Sequence, residues 1–168
     1  MNFGVKVFGE DYEFTLPIVG KHNLLNALAV IGVLTYFTKD FSKLNDAFMS
    51  FIPPKRRQEE ILNKKGVIVI DDFAHHPTAI RETIAAIRLK YPKKRIITLY
   101  EPRSNTSRQS IFHQDYILAF AQSDWVLITE AKPHKFIPNE KLLDVKKLRE
   151  DLIKSGVKTD VFANGLDI

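Results

Sequence analysis

The stretch from Gly66 to Lys90 narrows the fold more than any other part of the chain. Val67-Ile68-Val69-Ile70 is a short continuous apolar run opened by Gly66, the pattern of a strand buried on both faces. Ile80, Ile84 and Ile87 follow at i, i+4 and i+7, one apolar face of a helix. Between them stands Asp71-Asp72-Phe73-Ala74-His75-His76-Pro77-Thr78. Pro77 suits the first helical position, where a missing N–H costs nothing. Two carboxylates, two imidazoles and a helix N-terminus therefore gather at the carboxyl end of a strand, where open α/β sheets place ligands.

From Gly66 onward strand and helix alternate. The strands are expected at 67–71, 95–100, 125–129 and 157–163, and the helices at about 77–90, 108–121 and 140–155. This rhythm predicts an α/β class, a Rossmann-like and mostly parallel sheet with helices on both faces and right-handed crossovers. The part before it reads differently. Residues 1–19 alternate loosely around Gly9-Glu10-Asp11, which predicts a hairpin. Leu24, Leu25, Leu28, Ile31 and Leu34 then mark an amphipathic helix entered through Gly20-Lys21-His22-Asn23. A short helix follows over 43–51, and Pro53-Pro54 stops it.

The expected organisation is thus a small α+β piece of a larger neighbouring domain over 1–54, and a charged link with a first strand over 55–65. An α/β domain over 66–168 completes it. Sheets of this class commonly continue past a fourth strand, so the end at Gly165-Leu166-Asp167-Ile168 is expected to be a truncation.

With 168 residues, 45% of them hydrophobic, the chain can hold one ordinary domain and an extra piece; a domain of this size buries roughly 70% of its unfolded surface. The absence of cysteine excludes disulfides and thiolate metal sites and is compatible with the expected cytoplasmic location. No apolar run approaches the ~20 residues of a membrane span, and no signal segment opens the chain. A membrane partner is therefore not expected. The net charge of +5 suits a Lys-rich solvated surface or the attraction of a polyanionic small ligand such as a nucleotide. Nucleic acid is not an expected partner, since no basic–aromatic binding pattern occurs.

In a parallel sheet the carboxyl ends of successive strands lie side by side, so the loops 71–77, 101–108 and 130–135 are expected to converge. The second is Glu101-Pro102-Arg103-Ser104-Asn105-Thr106-Ser107-Arg108. Guanidinium forks bind carboxylates bidentately, and a following helix N-terminus favours anions. The alternative is an ordinary turn whose arginines pair with Glu101 and Asp72. Asp71-Asp72 suits sugar hydroxyls, Mg²⁺ or a plain strand-end turn. His75 and His76 are adjacent, and adjacent residues rarely ligate one ion well; hydrogen bonding by one ring, with the other packed or capping, is expected instead. No metal site is assigned. Glu130–Lys135 reads as a solvated loop. Asn23 and Asn26, one helical turn apart, share a face from which amides can read the edge of a base.

The ordered set Gly20-His22-Asn23-Asn26, then Arg57 with Glu59, then Asp71-Asp72-Phe73-Ala74-His75-His76-Pro77-Thr78 resembles the Mur ligases, most clearly over residues 20–130. These are ATP-dependent amide-bond-forming enzymes of peptidoglycan synthesis. Each piece alone is weak, but the ordered set is specific. The resemblance implies an acyl-phosphate mechanism in which ATP phosphorylates the carboxylate of UDP-N-acetylmuramate and an amine displaces the phosphate.

Members that add L-alanine usually carry Tyr-Gly where this chain has Phe73-Ala74, and Gln-Pro-His-Arg where it has Glu101-Pro102-Arg103-Ser104-Asn105-Thr106. Both departures look like members that recycle the murein tripeptide L-alanyl-γ-D-glutamyl-meso-diaminopimelate, so the implied amine is the tripeptide, with L-alanine second. By motif position, His22, Asn23, Asn26, Arg57 and Asp72 would bind ATP. Phe73, His75, Arg103, Ser104, Asn105 and Arg108 would bind the peptide. No Gly-x-x-x-x-Gly-Lys-Thr occurs. The resemblance places that loop, and the groups that hold Mg²⁺, in a central-domain part outside these residues, so the chain alone is expected to be inactive. The competing reading is a stand-alone nucleotide- or peptide-binding module on the same scaffold, without chemistry.

Overall fold

The computed structural model describes residues 1–133 and 135–165; His134 and Leu166-Asp167-Ile168, on which parts of the 130–135 loop and of the expected chain end fall, lie outside the described residues. The chain divides into two compact units, Met1–Phe73 and Ala74–Ile168.

In the first unit, β1 (Asn2–Val7) pairs antiparallel with β2 (Glu10–Thr15), with Val7 opposite Glu10. The connecting residues Phe8 and Gly9 have φ of 52° and 89°, the two positive values of a type I′ turn, whose twist matches that of the flanking strands. The turn expected at Gly9-Glu10-Asp11 therefore lies one residue earlier, because Glu10 and Asp11 already belong to β2. Val7, Phe14 and Leu16 of this hairpin bury against Ala27 and Ile31 of α1 (Lys21–Leu34), Phe41, and Phe48 of α2 (Leu44–Met49). Phe14 meets Phe48 edge-on, with ring centroids 5.6 Å apart.

A second hairpin joins β3 (Glu59–Lys64) to β4 (Val67–Asp71) through Lys65-Gly66, with φ of 50° and 82°. It corrects the expectation that Val67–Ile70 is a doubly buried strand of the parallel sheet. Among the described residues β4 pairs only with β3, antiparallel, and Val67 and Val69 are 59% and 39% exposed. The two-residue link explains the pairing: it can only fold a strand back on its predecessor, whereas parallel neighbours need a crossover of a dozen or more residues.

The second unit runs α3 (Pro77–Lys90), β5 (Ile97–Tyr100), a 3₁₀ turn (Ser110–Phe112), α4 (His113–Phe120) and β6 (Trp125–Thr129). A further 3₁₀ turn (Asn139–Lys141), α5 (Val145–Lys154) and β7 (Lys158–Phe162) complete it. The strands form a parallel sheet in the order β5-β6-β7, with Tyr100 beside Ile128 and Ile128 beside Val161. Ile80 and Ile84 of α3, Tyr116 and Phe120 of α4, and Leu148 and Leu152 of α5 form one core with Tyr100, Val126 and Ile128. All three helices thus cover one face. β5, β6 and β7 are added in one direction, so right-handed crossovers place α4 and α5 on the same side, and α3 packs into the same core. On the opposite face, which no described helix of this unit covers, Leu99 is 62% exposed.

Two helices begin later than their periodicity suggests. α4 starts at His113, not near 108, because Gln109 is extended (φ −91°, ψ 137°) and bridges to Leu142. The Arg108 carbonyl accepts from Leu143 N–H at 2.7 Å. α5 starts at Val145, capped by Asp144, whose Oδ1 accepts from Lys147 N–H at 2.9 Å.

The loop before β6 is fastened by Asp124. Its Oδ2 accepts from Ile96 N–H and from Arg88, each at 2.7 Å. Arg88 also donates to the carbonyls of Lys94 and Gln122 at 2.8 and 2.9 Å. The Ile96 amide and the Arg88 guanidinium hold the Asp124 carboxyl below its ordinary range.

Two outcomes follow. Leu148→Ala, at a fully buried position, should cost about 2–5 kcal/mol in urea unfolding. Asp124 has a depressed folded pKa, so its contribution is complete above the unfolded value and lost as pH falls through the folded one. Asp124→Asn should therefore flatten the acid limb of the stability profile, and an unaltered limb would count against this role for Asp124.

Candidate functional site

The residues expected to bind ATP all lie in the first unit, and a strained link contains Arg57 and is bonded to His22 and Asp72. Arg56 and Gln58 have φ of 60° and 51°, a left-handed conformation costing roughly 1–2 kcal/mol for each non-glycine residue. Neighbouring carboxylates stabilise both. Arg56 N–H donates to Glu59 Oε2 at 2.8 Å, and Gln58 N–H donates to Asp72 Oδ2 at 2.9 Å. The Arg56 carbonyl accepts from Phe73 N–H at 2.9 Å, and Arg56 Nε stands 3.3 Å from Asp71 Oδ2.

Gln58 connects this link to α1. Its Nε2 lies 3.2 Å from His22 Nε2, so His22 and Asp72 are joined through one residue. His22 Nδ1 is buried and has no hydrogen-bond partner among the described residues, a rare condition for a buried polar atom. Asn23 commits an amide hydrogen to the Val19 carbonyl at 2.8 Å, while Asn26 is exposed. Phe73, expected among the peptide-binding residues, lies under two guanidinium groups. Arg56 Cζ is 5.1 Å and Arg57 Cζ 5.9 Å from its ring centroid, within cation–π range.

The other residues expected to bind the peptide lie in the second unit. His76 is the N-cap of α3: its Nδ1 accepts from Thr78 N–H at 3.3 Å, and its ring meets Phe112 edge-on at 5.0 Å. His76 thus takes the capping and packed role expected of one ring. The His75 carbonyl accepts from the hydroxyls of Tyr100 and Tyr116, each at 3.1 Å. Burial pushes both phenols above their ordinary range.

The loop after β5 is tied to itself. Ser104 Oγ accepts from Ser107 N–H at 3.0 Å and donates to Ser107 Oγ at 2.9 Å. The Asn105 carbonyl accepts from Gln109 Nε2 at 3.1 Å, and Arg108 Nε donates to the Pro102 carbonyl at 3.3 Å. Arg103 points outward, its side chain 78% exposed and its Nε 3.8 Å from Glu101 Oε1. The expected helix N-terminus does not follow this loop directly, since α4 begins five residues beyond Arg108. Among the described residues no group of three or more His, Cys, Asp or Glu side chains could hold a metal ion.

Gln58, Arg56, Tyr100 and Tyr116 were not among the expected site residues. Positive φ usually announces itself as glycine or asparagine, and Arg56 and Gln58 are neither. The tyrosines look like ordinary core positions until strand and helix are packed.

The second unit is a parallel α/β fold, with a histidine capping one helix and arginines in a strand-end loop, where open α/β sheets place ligands. The chain belongs to the Mur ligase family: the family model described as Mur ligase, glutamate ligase domain, matches residues 56–163. Among curated relatives, the UDP-N-acetylmuramate–L-alanine ligase of Desulforapulum autotrophicum is 35% identical over 125 residues, 74% of this chain and 26% of that protein. Among solved structures, the UDP-N-acetylmuramate-alanine ligase of Thermotoga maritima matches with TM-score 0.73 and 25% identity, over 96% of this chain and 36% of that one. The murein peptide ligase of Psychrobacter arcticus matches with TM-score 0.64 and 26% identity, over 99% and 34%. The chain therefore spans about a quarter to a third of these relatives.

Removing the Asp72 carboxylate should leave Gln58 N–H without its acceptor. Asp72→Ala should destabilise the first unit by about 1–3 kcal/mol, measured by urea unfolding of the 168-residue chain; equal stability would dismiss this role.

Proposed function

We propose that the chain is part of an ATP-dependent ligase that joins the murein tripeptide to UDP-N-acetylmuramate through an acyl-phosphate. Its membership in the Mur ligase family supports the reaction class. The observation that carries the choice of amine is the loop Glu101–Thr106. It departs from the pattern usual in L-alanine-adding members and offers the exposed guanidinium of Arg103, held only loosely by Glu101.

In this reading the muramate carboxylate attacks the γ-phosphorus of ATP and ADP leaves. The peptide amine then adds to the acyl carbon, the tetrahedral intermediate expels phosphate, and the amine proton is lost. The residues of this chain bind and orient. Asn23 and Asn26, with His22 beside them, meet adenine; Asp72 accepts from ribose hydroxyls; Arg57 reaches the phosphates. Arg103 and Arg108 hold a carboxylate of the peptide, with His75, Ser104 and Asn105 around it, and Phe73 is a further peptide contact. Fixing that carboxylate presents the amine in a reactive orientation, which converts binding energy into rate. The phosphate-binding loop and the groups that hold Mg²⁺ belong to sequence outside these residues, and the enzyme works in the cytoplasm.

A second reading takes free L-alanine as the amine, and the 35% identity to an L-alanine ligase favours it. Assaying the product of the complete reading frame with both amines decides: faster turnover of tripeptide is expected, and preference for free L-alanine would establish the second reading. The 168-residue chain alone should release no phosphate from ATP on addition of both substrates, and turnover by it would overturn the proposal. Arg103→Ala in the complete enzyme should cost ~2–4 kcal/mol in apparent peptide affinity, from an uncompensated carboxylate. An unchanged affinity would remove Arg103 from the site.

A further inference from the structure

Tyr100 and Tyr116 carry buried hydroxyls to which the reaction proposed above gives no task. Tyr116 is 0% and Tyr100 6% exposed. Their rings pack with Phe120 at centroid distances of 6.1 and 5.3 Å, contacts that phenylalanine would make equally well. Burying a hydroxyl costs free energy unless it is hydrogen-bonded, so the oxygens must be explained by what they touch. They lie 2.9 Å from each other and each 3.1 Å from the His75 carbonyl, and Tyr116 Oη is 3.5 Å from the Ser107 carbonyl.

The two carbonyls belong to different loops. His75 leads into α3 through its neighbour His76, the N-cap. Ser107, fully buried, closes the turn with Ser104 and precedes Arg108. Two hydroxyl protons arranged as Tyr100 to Tyr116 to the His75 carbonyl satisfy both phenols and leave the pair seated between the loops.

We propose that the Tyr100–Tyr116 pair is a positioning device for the amine-substrate site. It fixes the backbone of His75 against the 104–108 turn, so that His75 and Arg108 face one carboxylate-bearing ligand together. This inference rests on the reading of His75 and Arg108 as peptide-binding residues.

The test uses the product of the complete reading frame with Tyr116→Phe, Tyr100→Phe and the double variant, which keep the rings. Losing hydrogen bonds of ordinary net strength should raise KM for the tripeptide about 5- to 10-fold in the double variant, with KM for ATP and kcat unchanged. Tyr100→Phe, which keeps the direct bond from Tyr116, should show a smaller rise and serves if the double variant does not fold. A lowered Tm with all kinetic constants unchanged, or equal rises in both KM values, would reduce the pair to a structural role and overturn the proposal. His75→Ala and Arg108→Ala run beside them. If these leave the tripeptide KM unchanged, the reading of the amine site itself has failed. If they raise it while the tyrosine variants do not, only the positioning inference falls.

Discussion

A main-chain carbonyl withdrawn from water must find a donor or lose solvation worth about 1–3 kcal/mol, and at His75 the Tyr116 phenol supplies it, backed by the Tyr100 phenol 2.9 Å away. That constraint orders the second unit. To reach the carbonyl, Tyr100 must end β5 and Tyr116 must lie one turn into α4, and both demand that α4 cover the same face of the sheet as α3. The crossovers put α4 and α5 on one face, because β5, β6 and β7 add in one direction, and α3 packs into the same core. Hydroxyls and helix packing are therefore two views of a single solution, in which the strand-end loops are anchored from beneath by the core.

The first unit meets a different demand. Its link adopts left-handed backbone at Arg56 and Gln58 without glycine, and carboxylates from Glu59 and Asp72 hold the amides in place. Asp72 is thus a structural acceptor as well as the proposed ribose contact. Loss of activity on substituting it would not by itself establish the ribose role, since the same change releases Gln58 and, through it, His22. Kinetic effects at this position acquire meaning only beside a stability measurement on the same variant.

Much of the scaffold was legible in the sequence because its signals are local. Pro77 at the first helical position and isoleucines at helical spacing specify α3 to its observed bounds, and the apolar run Trp125–Thr129 specifies β6. The errors arose where a distant partner decides. Val67–Ile70 is a strand in either reading, but whether it joins a parallel sheet or folds back depends on Lys65-Gly66, a turn whose first residue is not a usual left-handed one. α4 starts late because Leu142 bridges to Gln109, which is extended, and Leu143 N–H bonds the Arg108 carbonyl, contacts spanning more than thirty residues. The site divides the same way. The capping role of one histidine could be anticipated from Pro77, whereas Gln58 between His22 and Asp72 could not, since nothing in Lys55–Glu59 marks where its side chain goes.

Relatedness and substrate choice rest on different residues. Identity of 35% over 125 residues supports the shared scaffold more strongly than the choice of amine, because a fold is specified by many positions together. Discrimination between amines is a difference of transition-state binding energies and can be set by very few contacts. In this chain the residues that depart from the L-alanine pattern occupy two physically distinct settings. Phe73 stacks with Arg56 and Arg57, while Arg103 projects from a turn already satisfied by Ser104 and Ser107. Because that turn makes its own hydrogen bonds, its exposed guanidinium can change partner without unfolding the loop. A carboxylate-rich peptide has something to offer there that free L-alanine, with one carboxylate, has less of, and this asymmetry is the physical content of the proposed choice.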